Sequence, residues 1–370
     1  MTSETATAAN SLKLMPDVLA RVAPDVSLQK HLHLGLRPCL RKFEEFRHVT
    51  VDKTGLGKYE TEDKNGNILG SSVVKSGDTI VLCGITGGIV EDEQEAIDDY
   101  RLKLEDGIIS NEETASSSRK NATVYPVVQI ESGRTGPPSE EEMILSQRLH
   151  DTLLSSGILN TEDLKISLSL KSRDENGEVS IIGPDQFEAK KSYSFVLYAS
   201  IQVFSRSGPM FDLCWGSLVA ALRNTFLPQV YVDEDQLDIR MPVRSKGGEK
   251  ATISEEYKLV CDNAKATKLV IDESMISWSS TFGVVTVHSK DGDIDMDSGD
   301  VANEDVLLAD LEGEVEDTTV DRRIHVVTNG QTLTSVTITG GSEGVPIPRD
   351  MIRKAIEQAK RRSNDLVQKL

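Results

Sequence analysis

Four arginines are the side chains in this 370-residue chain best suited to bind a charged ligand. Arg37 and Arg41 lie close together near the N-terminus, Arg134 lies in a glycine-rich turn, and Arg148 lies on the helix predicted to follow that turn. Guanidinium groups donate several hydrogen bonds to phosphate oxygens, and backbone N–H groups at a helix N-terminus also attract anions. The sequence therefore predicts a phosphate or RNA contact at Arg134, with a salt bridge or a subunit contact as the structural alternative.

The spacing of the cysteines and of the acidic residues gives less support to a disulfide scaffold, a zinc site or a calcium site. The four cysteines lie far apart and form no Cys-x-x-Cys pair: Cys39, Cys83, Cys214 and Cys261. This spacing disfavours a disulfide scaffold or a zinc ribbon and is typical of a reducing compartment. The acidic run from Asp293 to Glu304 places carboxylates at several positions of a calcium loop, but Ser298 stands where that turn needs glycine. We predict no catalytic residue, no metal and no cofactor from these motifs.

The net charge of the chain limits the kinds of nucleic-acid-binding function that it can have. The chain has 41 Lys and Arg against 60 Asp and Glu, a formal net charge of −19. A protein that binds nucleic acid by itself usually presents a basic face to the phosphates, so this composition favours at most a subunit that contributes arginines to a shared site. The first residues do not resemble a secretory signal, and no apolar run approaches the ~20 residues that span a bilayer. We expect a soluble intracellular protein.

Apolar runs predict the strands of the fold. Thr79–Ile85 is a compact apolar run of the kind that is buried on both faces of a sheet, although a short buried helix segment shares this pattern. Tyr193–Phe204 reads as a longer strand of the same kind. Apolar and polar residues alternate over Leu164–Leu170, which predicts a half-buried strand.

Helix signals lie between these strands. Ser139 and Glu142 have the spacing of a capping box and predict a helix that ends at Gly157. The apolar segment Phe211–Phe226 predicts a helix in the core, and a further helix is predicted to open near Pro348. Strands and helices mixed in this order indicate an α+β fold in which helices cover a mixed sheet.

The predicted organisation is a flexible N-terminus (1–26), a first domain (27–245) and a C-terminal domain (246–370). Order is predicted to begin near Pro24, with Ser27 capping a short helix. Two acidic segments are predicted as loop insertions, because they cannot bury enough apolar surface to order themselves: 91–119 and 289–305. A strand, a Gly/Pro turn and a helix follow one another near the end of each half, at Val127–Glu131 and at Val336–Thr339, which indicates two similar halves.

A collinear series of motifs resembles the RNase PH family. The series comprises GLRPCLRKFEEFR, NILGSSVVKSGDTIVLCGITGGI, YPVVQIESGRTGPPSEEEMILSQRLHDTLLSSGIL, SRSGPMFDLCWGSLVAALRNTFLP, TFGVV, VLLADLEGEVED and the helix from IPRDMIRKAIEQAK. Each motif alone is weakly specific, but together their order and spacing cover about residues 27–365, interrupted by the two acidic segments and by a further insertion at 171–190. In detail the chain is similar to the ring subunits of the eukaryotic RNA exosome.

This resemblance implies the RNase PH-like fold, with two βαβ-type halves as in the second domain of ribosomal protein S5. It also implies a ring of RNase PH-like chains as partners, with RNA-binding cap subunits, an associated hydrolytic nuclease and single-stranded RNA in the assembled channel, without DNA or membrane. The implied location is the nucleus and nucleolus, and also the cytoplasm. The implied RNA-path residues are Arg134, Arg148, Arg37 and Arg41.

Three departures from active relatives predict a non-catalytic structural subunit that supports 3′→5′ RNA processing, including rRNA maturation and RNA turnover. Arg134 lacks a second adjacent arginine, and Pro209 and Met210 stand where a phosphate-binding turn needs small residues. The acidic motif ADLEGEVED differs from that of active members but retains Asp310 and Asp317. Two alternatives stay open, namely a phosphate-dependent 3′→5′ exoribonuclease and a ribosome-associated binding protein.

Overall fold

The structure is a computed structural model, and it describes residues 15–53, 56, 68–91, 124–133, 136–173, 179–183, 192–233, 238–240, 254–256, 258–287, 304–340 and 346–367. The helices over these residues are α1 (Pro16–Val22), α2 (Pro24–His33), α3 (Glu140–Ser156), α4 (Met210–Arg223), α5 (Gly313–Thr319) and α6 (Arg349–Val367). The strands are β1 (Val49–Asp52), β2 (Ile68–Ser76), β3 (Thr79–Glu91), β4 (Val124–Ile130), β5 (Ser169–Arg173), β6 (Val179–Ile182), β7 (Tyr193–Phe204), β8 (Phe226–Asp233), β9 (Asp238–Arg240), β10 (Ser254–Glu256), β11 (Leu259–Lys268), β12 (Trp278–Val287), β13 (Glu304–Ala309), β14 (Arg323–Thr328) and β15 (Leu333–Thr339). No helix within the described ranges is long and apolar enough to cross a membrane.

The chain divides into two compact units. The central unit comprises residues 49–206 and 213–277 with the last four residues, and the C-terminal unit comprises residues 1–48, 207–212 and 278–366. This division differs from the predicted boundary between 245 and 246, because the N-terminal segment groups with the C-terminal strands and β11 groups with the central ones. The predicted insertions 91–119, 171–190 and 289–305 lie for the most part outside the described residues.

A five-stranded sheet forms the first layer of the central unit, in the order β1-β2-β3-β7-β4. Its strands are antiparallel except for β4 and β7, which run parallel and are joined through α3. Alternate residues of the long strands β3 and β7 are fully buried, including Cys83, Ile85, Leu197 and Ile201. The predicted strands at Thr79–Ile85 and Tyr193–Phe204 are confirmed, and β3 continues to Glu91.

The helices of the central unit form where the sequence predicts them. The Ser139 capping box is present at the start of α3, and Gly157 ends the helix with a left-handed φ of 66°. Helix α4 is apolar on most sides, and Trp215 on it donates its indole N–H to the carbonyl of Ser277 at 2.9 Å. Gly70 on β2 has no room for a side chain, since a Cβ there would lie 2.8 Å from the backbone of Thr225.

Three predicted boundaries differ from the structure. Helix α2 begins at Pro24 rather than after Ser27, because proline is suited to the first helical turn and Ser27 is buried within the helix. The predicted strand over Leu164–Leu170 begins as a 3₁₀ helix at Thr161–Leu164, and β5 starts only at Ser169. The predicted helix Phe211–Phe226 ends at Arg223, and Phe226 opens β8.

The C-terminal unit is a four-stranded antiparallel sheet with helices on both faces, in the order β13-β12-β14-β15. Helix α6 contributes Ala355 and Ala359 to the apolar cluster around Phe282 on one face. Helix α2 contributes Leu28 and Leu32 to the cluster on the other face. A strand followed by a helix is present at both repeated sites, as β4 with α3 and as β15 with α6, although β15 is antiparallel to its neighbour.

Candidate functional site

The C-terminal unit contains a buried network of arginines and carboxylates where the acidic motif after β13 meets the N-terminal segment. Arg37 is fully buried, and its Nε donates to Glu316 Oε1 at 2.9 Å while its Nη2 donates to the other carboxylate oxygen. The same guanidinium donates to the carbonyls of Ala309 and Asp310 at 2.6 and 3.0 Å. These contacts use four of the five guanidinium N–H groups, and because the side chain is fully buried, Arg37 presents no donor to an external ligand.

Asp310 lies at the centre of this network with 3% of its surface exposed. Arg47 donates to it from its backbone N at 2.9 Å, from Nε at 3.0 Å and from Nη2 at 2.9 Å. Arg41 adds a longer contact of 3.5 Å and pairs with Glu312 at 2.8 Å. Burial alone would raise the pKa of Asp310, but the hydrogen bonds and charge of Arg47, with the charge of Arg362, lower it below the ordinary value.

A second buried carboxylate, Asp212, stands near the start of α4. Its oxygens accept hydrogen bonds from the backbone N of Thr281 at 2.8 Å and from the hydroxyl groups of Ser279 and Thr281. Arg362 on α6 lies 4.0 Å away and covers the ring of Phe46 at 4.1 Å. Burial raises the pKa of Asp212, and it lowers the pKa of Arg362.

The turn before α4 is closed by Arg47. Its Nη1 donates to the carbonyl of Ser207 at 2.7 Å, and a Cβ at Gly208 would lie 2.5 Å from its Nη2. Gly208 also has a φ of +81°, which L side chains rarely adopt, so glycine is required twice over at this position. The guanidinium of Arg47 therefore lies against the turn at Gly208. Directly after this glycine, Pro209 and Met210 stand where a phosphate-binding turn needs small residues.

Comparison with known proteins identifies the fold family of this chain. Residues 45–228 match the model of the 3′ exoribonuclease family, domain 1. This chain has the RNase PH-like fold. It is 25% identical over 232 residues to the exosome complex component rrp43 of Schizosaccharomyces pombe, a match that spans 63% of this chain and 68% of that protein. The resemblance of the sequence motifs to the RNase PH family is thereby confirmed.

Solved structures share the fold of this RNase PH-like chain. A chain of the Archaeoglobus fulgidus exosome with RNA bound to the active site matches with a TM-score of 0.56 at 15% identity, over 95% of this chain and 99% of that one. A chain of an archaeal exosome core matches with a TM-score of 0.52 at 14% identity, over 96% and 99% of the two chains. At this level of identity the comparisons establish the RNase PH fold alone.

The four predicted RNA-path arginines lie in different surroundings in this RNase PH-like chain. Arg37 is internal, and Arg41 keeps 13% of its side chain exposed beside Glu312. Arg148 is half-buried on α3, and Arg134 lies outside the described residues. The structure brings Arg37 and Arg41 together around the acidic motif, which favours an internal ion pair over an RNA contact for Arg37.

Sequence reasoning missed most of the acidic and basic partners of this network. Glu316 and Arg362 lie in charged segments that read as solvated surface, but both are buried. Asp212 had one usable signal, because it is the single carboxylate in the apolar segment that forms α4. Asp317, the other acid retained in the motif, pairs with Arg323 at 2.9 Å and is partly exposed. Within the described residues, no group of three or more His, Cys, Asp or Glu is arranged to hold a metal ion.

Proposed function

We propose that this RNase PH-like chain is a non-catalytic structural subunit of the RNA exosome ring. In this role it supports 3′→5′ RNA processing and degradation by shaping the channel through which RNA passes. The proposal is supported by the match to an exosome component over most of the chain and by the fold shared with archaeal exosome chains.

The observation that carries the non-catalytic role is the state of Asp310. Phosphorolysis requires cations that hold the phosphate and an acid that protonates the leaving oxygen. Asp310 is buried, and Arg47 holds its pKa below the ordinary value, so it stays ionised at neutral pH and has no proton to give. Arg47 is in turn neutralised by Asp310 and does not offer a free charge to phosphate.

The partners that follow from this proposal are other RNase PH-like ring subunits, RNA-binding cap subunits and a separate hydrolytic nuclease. Single-stranded RNA contacts the chain only in the assembled channel, with Arg134, Arg148 and the exposed part of Arg41 as the RNA-path residues. The proposed location is the nucleus and nucleolus with a cytoplasmic fraction, which fluorescence microscopy of a tagged chain tests directly.

The alternative function is a phosphate-dependent 3′→5′ exoribonuclease, which the family match and the partly exposed Asp317 favour. The deciding assay incubates the purified chain with RNA and inorganic phosphate and measures nucleoside diphosphates. We expect no release above a no-enzyme control. Release that the Asp310→Ala and Asp317→Ala variants abolish would establish the alternative.

Ring membership is tested separately by affinity purification of a tagged chain followed by mass spectrometry. We expect other RNase PH-like chains in fixed stoichiometry with the tagged one. Recovery of the chain alone, under salt conditions that preserve a tagged known ring subunit with its partners, would refute the proposed role whatever the outcome of the activity assay.

A further inference from the structure

The central unit has a surface groove between strand β4 and helix α3. Two cavities lie along it, with volumes of about 420 and 650 Å³, and they share Val127, Val128, Pro138 and Glu142 in their walls. The two cavities are therefore adjacent, and together they are called the β4–α3 groove. The smaller cavity has mainly apolar walls and forms the apolar half of the groove, and the larger cavity, whose walls are mixed and include charged side chains, forms its polar half.

The apolar half exposes side chains that proteins usually bury. Tyr125, Val127 and Met143 line it and are 48%, 46% and 55% exposed. The ring of Tyr125 is stacked between His150 on α3, at 5.9 Å, and Tyr198 on β7, at 6.0 Å. These rings hold one another in place before any ligand arrives. Contiguous exposed apolar side chains of this kind mark interaction sites in soluble proteins.

The outer edge of β4 does not accept an added strand. Glu131 donates its N–H to Val203 on the β7 side, so the N–H groups of alternate residues, including Val128 and Ile130, point to the other side. Side chains of α3 accept both of them, at 2.9 Å from the Ser146 hydroxyl and at 2.6 Å from the Glu142 carboxylate. The outward N–H groups of Val128 and Ile130 are therefore already taken and are not offered to a ligand in the groove.

The polar half of the groove is acidic. Glu131 is exposed there, and Glu141 pairs with Arg206 at 2.8 Å with both side chains about half exposed. Glu140 follows on the exposed first turn of α3, and the whole chain carries a net charge of −19. Arg206 offsets part of this negative charge, and the exposed carboxylate of Glu131 is the group with which a positively charged ligand can pair.

We propose that the β4–α3 groove binds an extended segment of a partner protein in which an apolar side chain is followed by Lys or Arg. The apolar side chain inserts beside Tyr125, Val127 and Met143, and the basic side chain pairs with Glu131. This inference goes beyond the proposed function, because it concerns a linear segment held by one chain and does not depend on the ring.

Two matched fluorescent peptides test the proposal with the purified full chain. One is Gly-Leu-Ser-Lys-Arg-Gly, the other is Gly-Leu-Ser-Glu-Glu-Gly, and a labelled oligoadenylate serves as the RNA probe. Fluorescence anisotropy measures affinity, and the NMR signal of the Met143 methyl group reports where binding occurs. We expect the basic peptide to bind and to shift the Met143 signal, and we expect the acidic peptide and the oligoadenylate to leave that signal unchanged.

Two neighbouring residues on α3 provide a matched pair of variants. Met143 lines the groove and Ile144 does not, although they are 55% and 56% exposed. We expect Met143→Ser to weaken binding of the basic peptide roughly tenfold, as loss of an apolar contact of this size should, and Ile144→Ser to leave it unchanged. Glu131→Lys should weaken binding as well. Glu131 and Met143 are both exposed, so the variants are expected to fold like the parent.

The proposal is overturned by any of three results. The first is no saturable binding of the basic peptide up to about 1 mM, the weak limit of useful affinity. The second is equal binding of the acidic peptide or equal effects of Met143→Ser and Ile144→Ser. The third is a shift of the Met143 signal by the oligoadenylate, which would make the groove an RNA site.

Discussion

At the scale of single residues, the C-terminal unit depends on charges that are buried and paired. Asp310 is held ionised by Arg47, whereas Asp212 lies among hydroxyl groups with Arg362 at a greater distance. The pKa of the first carboxyl is lowered, while burial raises the pKa of the second. Two aspartates of the same unit therefore affect the stability of the fold in opposite directions as the pH changes.

Removing one member of the buried pair should destabilise the protein strongly. Arg47→Ala leaves Asp310 buried without its principal partner, and we expect a loss of about 3–5 kcal/mol in the free energy of unfolding. Arg361→Ala is the control, because Arg361 pairs with Glu357 on the exposed face of α6 and should cost less than about 1 kcal/mol. Urea denaturation measures both variants. Similar losses for the two would show that the buried pair contributes no more than a surface pair.

The lowered pKa of Asp310 also predicts a dependence on pH. Its stabilising contribution is fully present above the unfolded-state pKa, near 3.8, and is lost as the pH falls through the lower folded-state value. The stability difference between the parent and Asp310→Asn should therefore be large at neutral pH and shrink in the acid range below about 4. Denaturation midpoints of the two proteins over a pH series measure it. A difference that stays constant with pH would contradict the assignment.

At the scale of elements, the two edge strands β4 and β15 differ in whether neighbouring side chains cover the strand's outer edge. The outward N–H groups of Val128 and Ile130 on β4 are accepted by side chains of α3. Strand β15 is an edge strand of uncharged residues, mostly β-branched, on which Leu333, Val336 and Ile338 are 44%, 39% and 47% exposed. Long uncharged edge strands are templates for pairing with another chain.

The isolated chain is therefore expected to associate through β15. Thr337→Lys places a charge at the centre of the exposed edge and should lower the fraction of dimers and larger species. Thr318→Lys is the control, since it makes the same substitution at an exposed position on α5 in the same unit. Sedimentation velocity at fixed salt compares the variants with the parent. If both substitutions reduce association equally, net charge rather than the strand edge is responsible.

At the scale of the whole molecule, net charge governs what the chain binds alone and in an assembly. A charge of −19 opposes a polyanion at long range, so the isolated subunit should bind RNA poorly. An assembly changes this situation because arginines from several chains converge on one channel and their contacts add along a strand.

Arg134 provides the test of a shared RNA site. Arg134→Glu should weaken the protection of RNA by the assembled ring without preventing assembly, and the effect should shrink as salt is raised, because it arises from a phosphate contact. Arg361→Glu, on the exposed face of α6, is the charge-matched control. Nuclease protection at several salt concentrations measures the effect. Equal protection by parent and variant rings at low salt would place Arg134 in a salt bridge or a subunit contact.

The sequence by itself determined the features of this protein that depend on neighbouring residues. The capping box at Ser139 and the left-handed end at Gly157 arise from contacts within one helix, whereas an apolar run along a single segment marks the strands at Thr79 and Tyr193; the structure confirms all four. The order of family motifs along the chain likewise sufficed to identify the RNase PH-like fold. Such features are readable because few alternative partners compete for them.

Only the tertiary structure decided which charges meet and which surfaces stay open. Arg37 and Glu316 are 279 positions apart in the chain, and Arg47 and Asp310 are 263 apart, so no local pattern indicates their pairing. No local pattern indicates the groove beside Met143 either, because it exists only where a helix lies along the edge of a strand. Residue types limit the pairs and surfaces that can form, whereas chain packing selects among them, and it does so by removing particular side chains from water.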